Sequence, residues 1–128
     1  MGEKTFTFLY AGDEIEVSSP SLSYESVKTL NCLSHPEITR PVALLIAVSL
    51  RTHNSHKQAW AGIFIDDCPL PNAEVDTNSQ SFQTHKLRIP TEQWAQPRLH
   101  TVELRLKTEP ENIAYNNYFE LYYVLRES

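Results

Sequence analysis

Val42-Ala43-Leu44-Leu45-Ile46-Ala47-Val48, carried on through Ser49 to Leu50, is the longest apolar run in the chain. A short apolar run can be a buried helix or a buried strand, and periodicity alone does not separate them. Its borders do. Arg40-Pro41 stands at its start and the polar cluster His53-Asn54-Ser55-His56 follows its end, which leaves room for a strand and little more. Read as a strand, it shows Val42, Leu44, Ile46 and Val48 on one face and Ala43, Leu45 and Ala47 on the other. Both faces are apolar, and such a strand is usually covered on both sides.

Outward from this run the same period of two recurs, with turn-forming residues between the segments. Phe6 and Phe8 alternate with threonines; Ile15 and Val17 alternate with Glu14 and Glu16 after Gly12-Asp13, which reads as a turn. Further strands are expected at Val27 to Cys32, Trp60 to Ile65, Phe82 to Ile89, Thr101 to Leu106 and Tyr118 to Leu125. About eight strands at this spacing predict an all-β chain, an antiparallel sandwich of jelly-roll or Ig-like type occupying residues 1–128 as one domain. One short helical turn is expected at Pro90-Thr91-Glu92-Gln93-Trp94, with Thr91 as its cap. The proline-bounded stretch from Cys68 to Ser81 reads as the longest loop. In the last strand Phe119, Leu121, Tyr123 and Leu125 form the core face. The opposite set, Tyr118, Glu120, Tyr122 and Val124, is too aromatic for a merely solvated face. Tyr118 and Tyr122 are therefore candidate interface residues, unless a loop covers them.

Eleven Lys+Arg against sixteen Asp+Glu give a net charge of −5 over 128 residues. That balance argues against a duplex nucleic-acid binder, which needs cations to displace counterions from phosphates. Three glycines leave no phosphate-cradling loop. The apolar run above is far shorter than a membrane span, and the first residues, Met1 to Phe6, lack the apolar stretch of a secretory signal, so a cytoplasmic or leaderless-export location without membrane insertion is expected. Cys32 and Cys68 are too few for a disulfide framework and read as free thiols. No Gly-x-Ser-x-Gly elbow is present, and Asp66-Asp67 beside Cys68 would raise the thiol pKa, so no enzyme is expected. His53 and His56 lie three apart, but in a polar turn rather than the fixed context of a zinc site. Asp76-Thr77-Asn78 opens like a calcium loop without its glycine and distal glutamate; calcium is the one cofactor left open, and no other is expected.

The residue types fit sugar recognition best. A pyranose needs an aromatic ring for its C–H face and fixed amides and carboxylates for its hydroxyls. Glu111, Asn112, Tyr115, Asn116 and Asn117 supply these within one turn, with Trp60 and Asp66 as a second group. Asn116-Asn117 can equally serve turn chemistry, and Trp60 can serve the core. Tyr115-Asn116-Asn117 followed by Tyr118-Phe119-Glu120-Leu121 is faintly similar to the closing segment of small calcium-dependent bacterial galactose lectins, without their glycines and aspartate. Lys86, Arg88, Arg98, Arg105 and Lys107 form a local basic surplus that would make a stripe if their strands share a sheet, or a solvated face in which Glu103 bridges to its neighbours. The expectation is a lectin-like, non-enzymatic binding module acting through loops at one end of a sandwich, probed by a glycan or protein partner and present as a homo-oligomer. The alternative is a structural or protein-interaction subunit, for example a viral or phage surface component, whose two-faced strands are assembly contacts.

Overall fold

The computed structural model describes residues 5–33, 43–90 and 99–126. Their strands are β1 (Thr5–Asp13), β2 (Val17–Ser19), β3 (Glu25–Leu33), β4 (Ala43–Thr52), β5 (Ala59–Ile65), β6 (Cys68–Thr77), β7 (Gln83–Pro90), β8 (Leu99–Thr108), β9 (Ala114–Asn116) and β10 (Phe119–Arg126). The expected helical turn at Thr91 to Trp94 lies outside the described residues, and so does Arg98.

Pairing reduces these strands to eight positions. β1 pairs with β10 and β2 with β9, so each of these two rows is one strand interrupted once. β4 receives β10 along Ala43–Val48 and β9 along Arg51–Thr52, and its other edge carries β7. The second sheet runs β3-β8-β5-β6. Numbered by position, the first strand pairs with the eighth, the second with the seventh, the third with the sixth and the fourth with the fifth, all antiparallel. That is one long hairpin wound up on itself. β10·β4 and β8·β5 close the winding, which makes a jelly roll rather than an Ig-like sandwich.

The core lies between the sheets. Leu44, Ile46, Val48 and Leu50 of β4 meet Ala59, Ala61, Ile63 and Ile65 of β5, Val102, Leu104 and Leu106 of β8, and Phe119, Leu121 and Tyr123 of β10. Of the inward sets read from β4 and β10, Leu44, Ile46, Val48, Phe119, Leu121 and Tyr123 are thus buried as expected; the side chains of Val42 and Leu125 lie outside the described residues. Two expectations fail. Gly12-Asp13 does not turn the chain: β1 runs through both, and Gly12 lies where a Cβ would come within 2.9 Å of Glu120 Cγ. The following residues break the strand because Asp13 Oδ1 accepts the Ile15 amide at 2.8 Å, which leaves Ile15 70% exposed. The supposed loop from Cys68 contains β6, an edge strand, where prolines remove no ladder bond that is needed. Its turn from β5 puts Asp66 and Asp67 at φ of 52° and 67°, the double positive φ that a two-residue type I′ hairpin requires. The basic residues do not form one stripe, since β7 and β8 belong to different sheets. Cys68 is an exposed free thiol.

Candidate interaction face

The outer face of the first sheet is built by alternation. If Leu44, Ile46 and Val48 point inward, then Ala43, Leu45 and Ala47 point outward; register sets Leu45 between Tyr122 and Arg88, and Ala47 between Glu120 and Lys86. Between the tyrosines and β7 the small Ala47 leaves a depression of about 280 Å³, lined by Leu45, Ala47, Thr84, Lys86, Tyr118 and Tyr122. Thr84, Lys86 and Arg88 of β7 are exposed, whereas Ala43, Ala47 and Val124 of β4 and β10 are buried. Tyr118 and Tyr122, the two residues expected at an interface, are half-buried at the rim of the depression.

Their hydroxyls are not idle. Tyr122 donates to Glu120 Oε2 at 2.5 Å, and the two phenol oxygens lie 3.4 Å apart. Hydrogen bonding to the Glu120 carboxylate pushes both phenols above the ordinary tyrosine range. A phenol raised in this way adds stability that is complete below its ordinary value of about 10 and is lost as pH rises through the raised value. Tyr24, half-buried and bonded to Glu74, is raised as well. Ultraviolet titration in a Tyr24→Phe background is therefore expected to show Tyr118 and Tyr122 ionising late, and Glu120→Gln should return both toward the ordinary range. Unchanged late titration in that variant would dissociate the phenols from Glu120.

Toward the loop end the same face carries Arg51, whose guanidinium carbon lies 3.7 Å from the Tyr115 ring centroid and 5.1 Å from that of Phe82. The Glu16 carboxylate lies 3.9 Å from this guanidinium. Sequence could not show this stack, because it depends on which strand β4 meets at Arg51.

The seven residues expected to bind a sugar are dispersed. Asn112 is buried: Nδ2 donates to Thr52 Oγ1 at 2.6 Å and Thr108 Oγ1 at 2.7 Å, and Oδ1 accepts the Asn54 amide at 3.0 Å. Asn116 is buried too, donating to the Ser49 carbonyl at 2.6 Å and the Tyr118 carbonyl at 2.9 Å, and so bridges the interruption between β9 and β10. Asn117 is half-buried and accepts from Ser49 Oγ at 2.7 Å. Glu111 is exposed at a φ of 60°, where it makes the turn. Tyr115 lies on the outer face of the first sheet, and Trp60 on that of the second. Asp66 lies at the far end of β5, roughly 20 Å along the strand from Trp60 at 3.3 Å per residue, and is bonded to His100 Nδ1 at 2.5 Å and the Thr101 amide at 3.0 Å. The amides offered to a sugar are therefore largely spent inside the fold.

The second sheet's outer face is aromatic as well, but its rings are matched by cations. Arg105 lies 4.0 Å over Phe64, and Lys107 lies 4.6 Å over Tyr24 and 5.2 Å over Trp60. Arg105 also bonds Glu103 at 2.8 Å and Asp67, which lowers the Glu103 pKa. This is the bridging role expected of Glu103. The His53 to His56 segment is a polar turn in which Asn54 Oδ1 accepts the His56 amide at 2.9 Å. Among the described residues no three His, Cys, Asp or Glu side chains gather as a metal would need, and no helix is long and apolar enough to cross a membrane.

No protein-family model matches the sequence, and no curated protein sequence matches it. Among solved structures the chain is similar to the VP2 subviral particle of infectious bursal disease virus, with a TM-score of 0.56 and 17% identity over 96% of this chain and 33% of that one. Particles of T=1 and T13 type from the same virus overlap 98% of this chain and 36% of theirs at 15% identity, with TM-scores of 0.48 and 0.44. The chain spans about a third of the length of the structures it matches. The first of these likenesses concerns the fold: the all-β double sheet described above recurs in a protein that builds a viral particle.

Proposed function

We propose that the chain is a structural, non-enzymatic subunit that assembles with further copies of itself through the outer face of its first sheet. The observation that carries this reading is the second apolar face of β4 and β10, where Leu45, Ala47, Tyr118 and Tyr122 surround a depression beside exposed cations. Tyrosine-rich, partly apolar surfaces desolvate well and are enriched at protein interfaces. Charge supports a second copy as the occupant. The chain is acidic, at −5, whereas this face offers exposed Lys86 and Arg88 beside a Glu120 already engaged by tyrosine and an Arg51 paired with Glu16. The likeness to a virus particle protein supports it too, since an assembling protein uses the same wound double sheet. Sugar binding through the loop end becomes the second reading, because two of its five loop residues are buried.

Sedimentation velocity across a concentration series tests the proposal. The chain should sediment as an oligomer at micromolar concentration, and Leu45→Asp should shift it to monomer by weakening association at least about 30-fold, the effect of a central hot spot. Thr29→Asp, exposed on the second sheet, should leave assembly unchanged. A monomer at every concentration, or equal loss in both variants, would overturn the proposal.

A further inference from the structure

We infer that the Glu14-Ile15-Glu16 segment is the knob that fills this depression in a neighbouring copy; the inference rests on the assembly reading above and names its contact. Ile15 is 70% exposed, more than Leu22 at 62% or Leu99 at 58%. An isolated exposed isoleucine needs no explanation by itself. This one is presented by a built device. Asp13 Oδ1 captures its amide at 2.8 Å, stops β1 and lifts residues 14–16 out of the ladder before β2 resumes against β9. The knob is thus held by a side chain on a strand, not on a loose loop.

Its chemistry complements the depression. Ile15 is flanked by two exposed carboxylates, Glu14 and Glu16. The depression has Leu45 and Ala47 at its floor and Lys86 at its rim, with exposed Arg88 one register row away. An aliphatic side chain entering it would put its neighbouring carboxylates beside those cations, and opposite charges at a rim steer docking and fix its register. Leu22 lies between serines and offers no such match. Within one copy the knob stands at the β1/β2 edge, two strand spacings, about 10 Å, from β4 at the floor of the depression. Glu16, next to Ile15, reaches Arg51 on the outer face that bears the depression. Two copies turned face to face therefore exchange knobs, a closed two-fold contact.

The test mixes two singly labelled chains, both made in a Cys32→Ser, Cys68→Ser background. One carries Ile15→Cys and the other Thr84→Cys. A disulfide needs Cα atoms within about 7 Å, so a cross-linked pair on mild oxidation reports residue 15 of one copy at the depression of the other. Ile15→Ser, at an exposed position where folding is not at stake, should raise the dissociation constant about tenfold or more. Mixed cross-linking together with this loss supports the inference. Oligomers that form normally with Ile15→Ser and give no mixed cross-link overturn it and leave the assembly reading standing. A wild-type chain that stays monomeric overturns both.

Discussion

The Asn112→Ala variant is expected to lose about 3 kcal/mol of stability and about 10 °C of melting temperature, although the substituted residue sits in a turn. The four connections at its end of the roll are tied to one another. Thr52 donates its amide to the Ser79 carbonyl, His53 to Ile113, Glu109 to Gln58 and Thr108 to Ser21. Asn112 stands at the middle of this lattice, 5% exposed, and joins β4, β8 and the turn after β4 through Thr52, Thr108 and the Asn54 amide. The single Thr52 hydroxyl proton is shared between the Asn54 and Lys57 carbonyls, and that of Thr108 goes to the Gln58 carbonyl. Each hydroxyl is therefore free to accept, and only an amide with two N–H donors and an acceptor fits. Alanine removes three bonds, two of them buried, and leaves the half-buried Asn54 N–H without its acceptor. Each typical bond contributes about 1 kcal/mol net, which sets the total. Asn117→Ala, which loses only a half-buried acceptor for Ser49 Oγ, should cost about 1 kcal/mol or less. Thermal unfolding followed by circular dichroism checks the pair. An Asn112→Ala variant that melts with the wild type would return this residue to the pool of ligand candidates.

The contrast shows what could be read from the chain. Inward and outward sets of β4 and β10 were legible because alternation is a local property, and Leu44 to Leu50 and Phe119 to Tyr123 carry it without a break. β6 was not, because Pro69 and Pro71 read as loop when no pairing partner is known; an edge strand tolerates them. Glu14-Ile15-Glu16-Val17 has the alternation of a strand, yet one side chain–backbone bond from Asp13 interrupts it. Tyr118 and Tyr122 could be singled out, since an aromatic outer face needs a reason. The sugar-site asparagines could not be judged. Composition shows that an amide is present, and only the three-dimensional partners show whether it is already satisfied.

Asp13→Ala is expected to cost about 3 kcal/mol while Lys28→Met at the other end of the same ion pair is neutral or stabilising. Lys28 sits on β3 with its side chain 2% exposed, in the gap between the edge strands β3 and β1 of the two sheets. Its ammonium lies 3.5 Å from Asp13 Oδ1 and donates to the Asp13 carbonyl at 3.2 Å. Burial lowers the lysine pKa, and the pull of Asp13 offsets this only in part, so desolvation outweighs attraction. Removing Asp13 leaves a buried cation with one backbone acceptor and also frees the Ile15 amide. Removing Lys28 leaves a carboxylate 29% exposed that water can reach. The pH dependence has a definite sign. In the folded state Lys28 releases its proton earlier than in the unfolded chain, so stability rises with pH between its lowered value and the ordinary lysine value of about 10.4. Below that window the cost of the buried charge is fully present, and it is there that Lys28→Met should gain most over wild type. Denaturant unfolding of both chains at neutral and alkaline pH measures the gap. A gap that widens as pH rises would mean that Asp13, not desolvation, sets the energy of this contact.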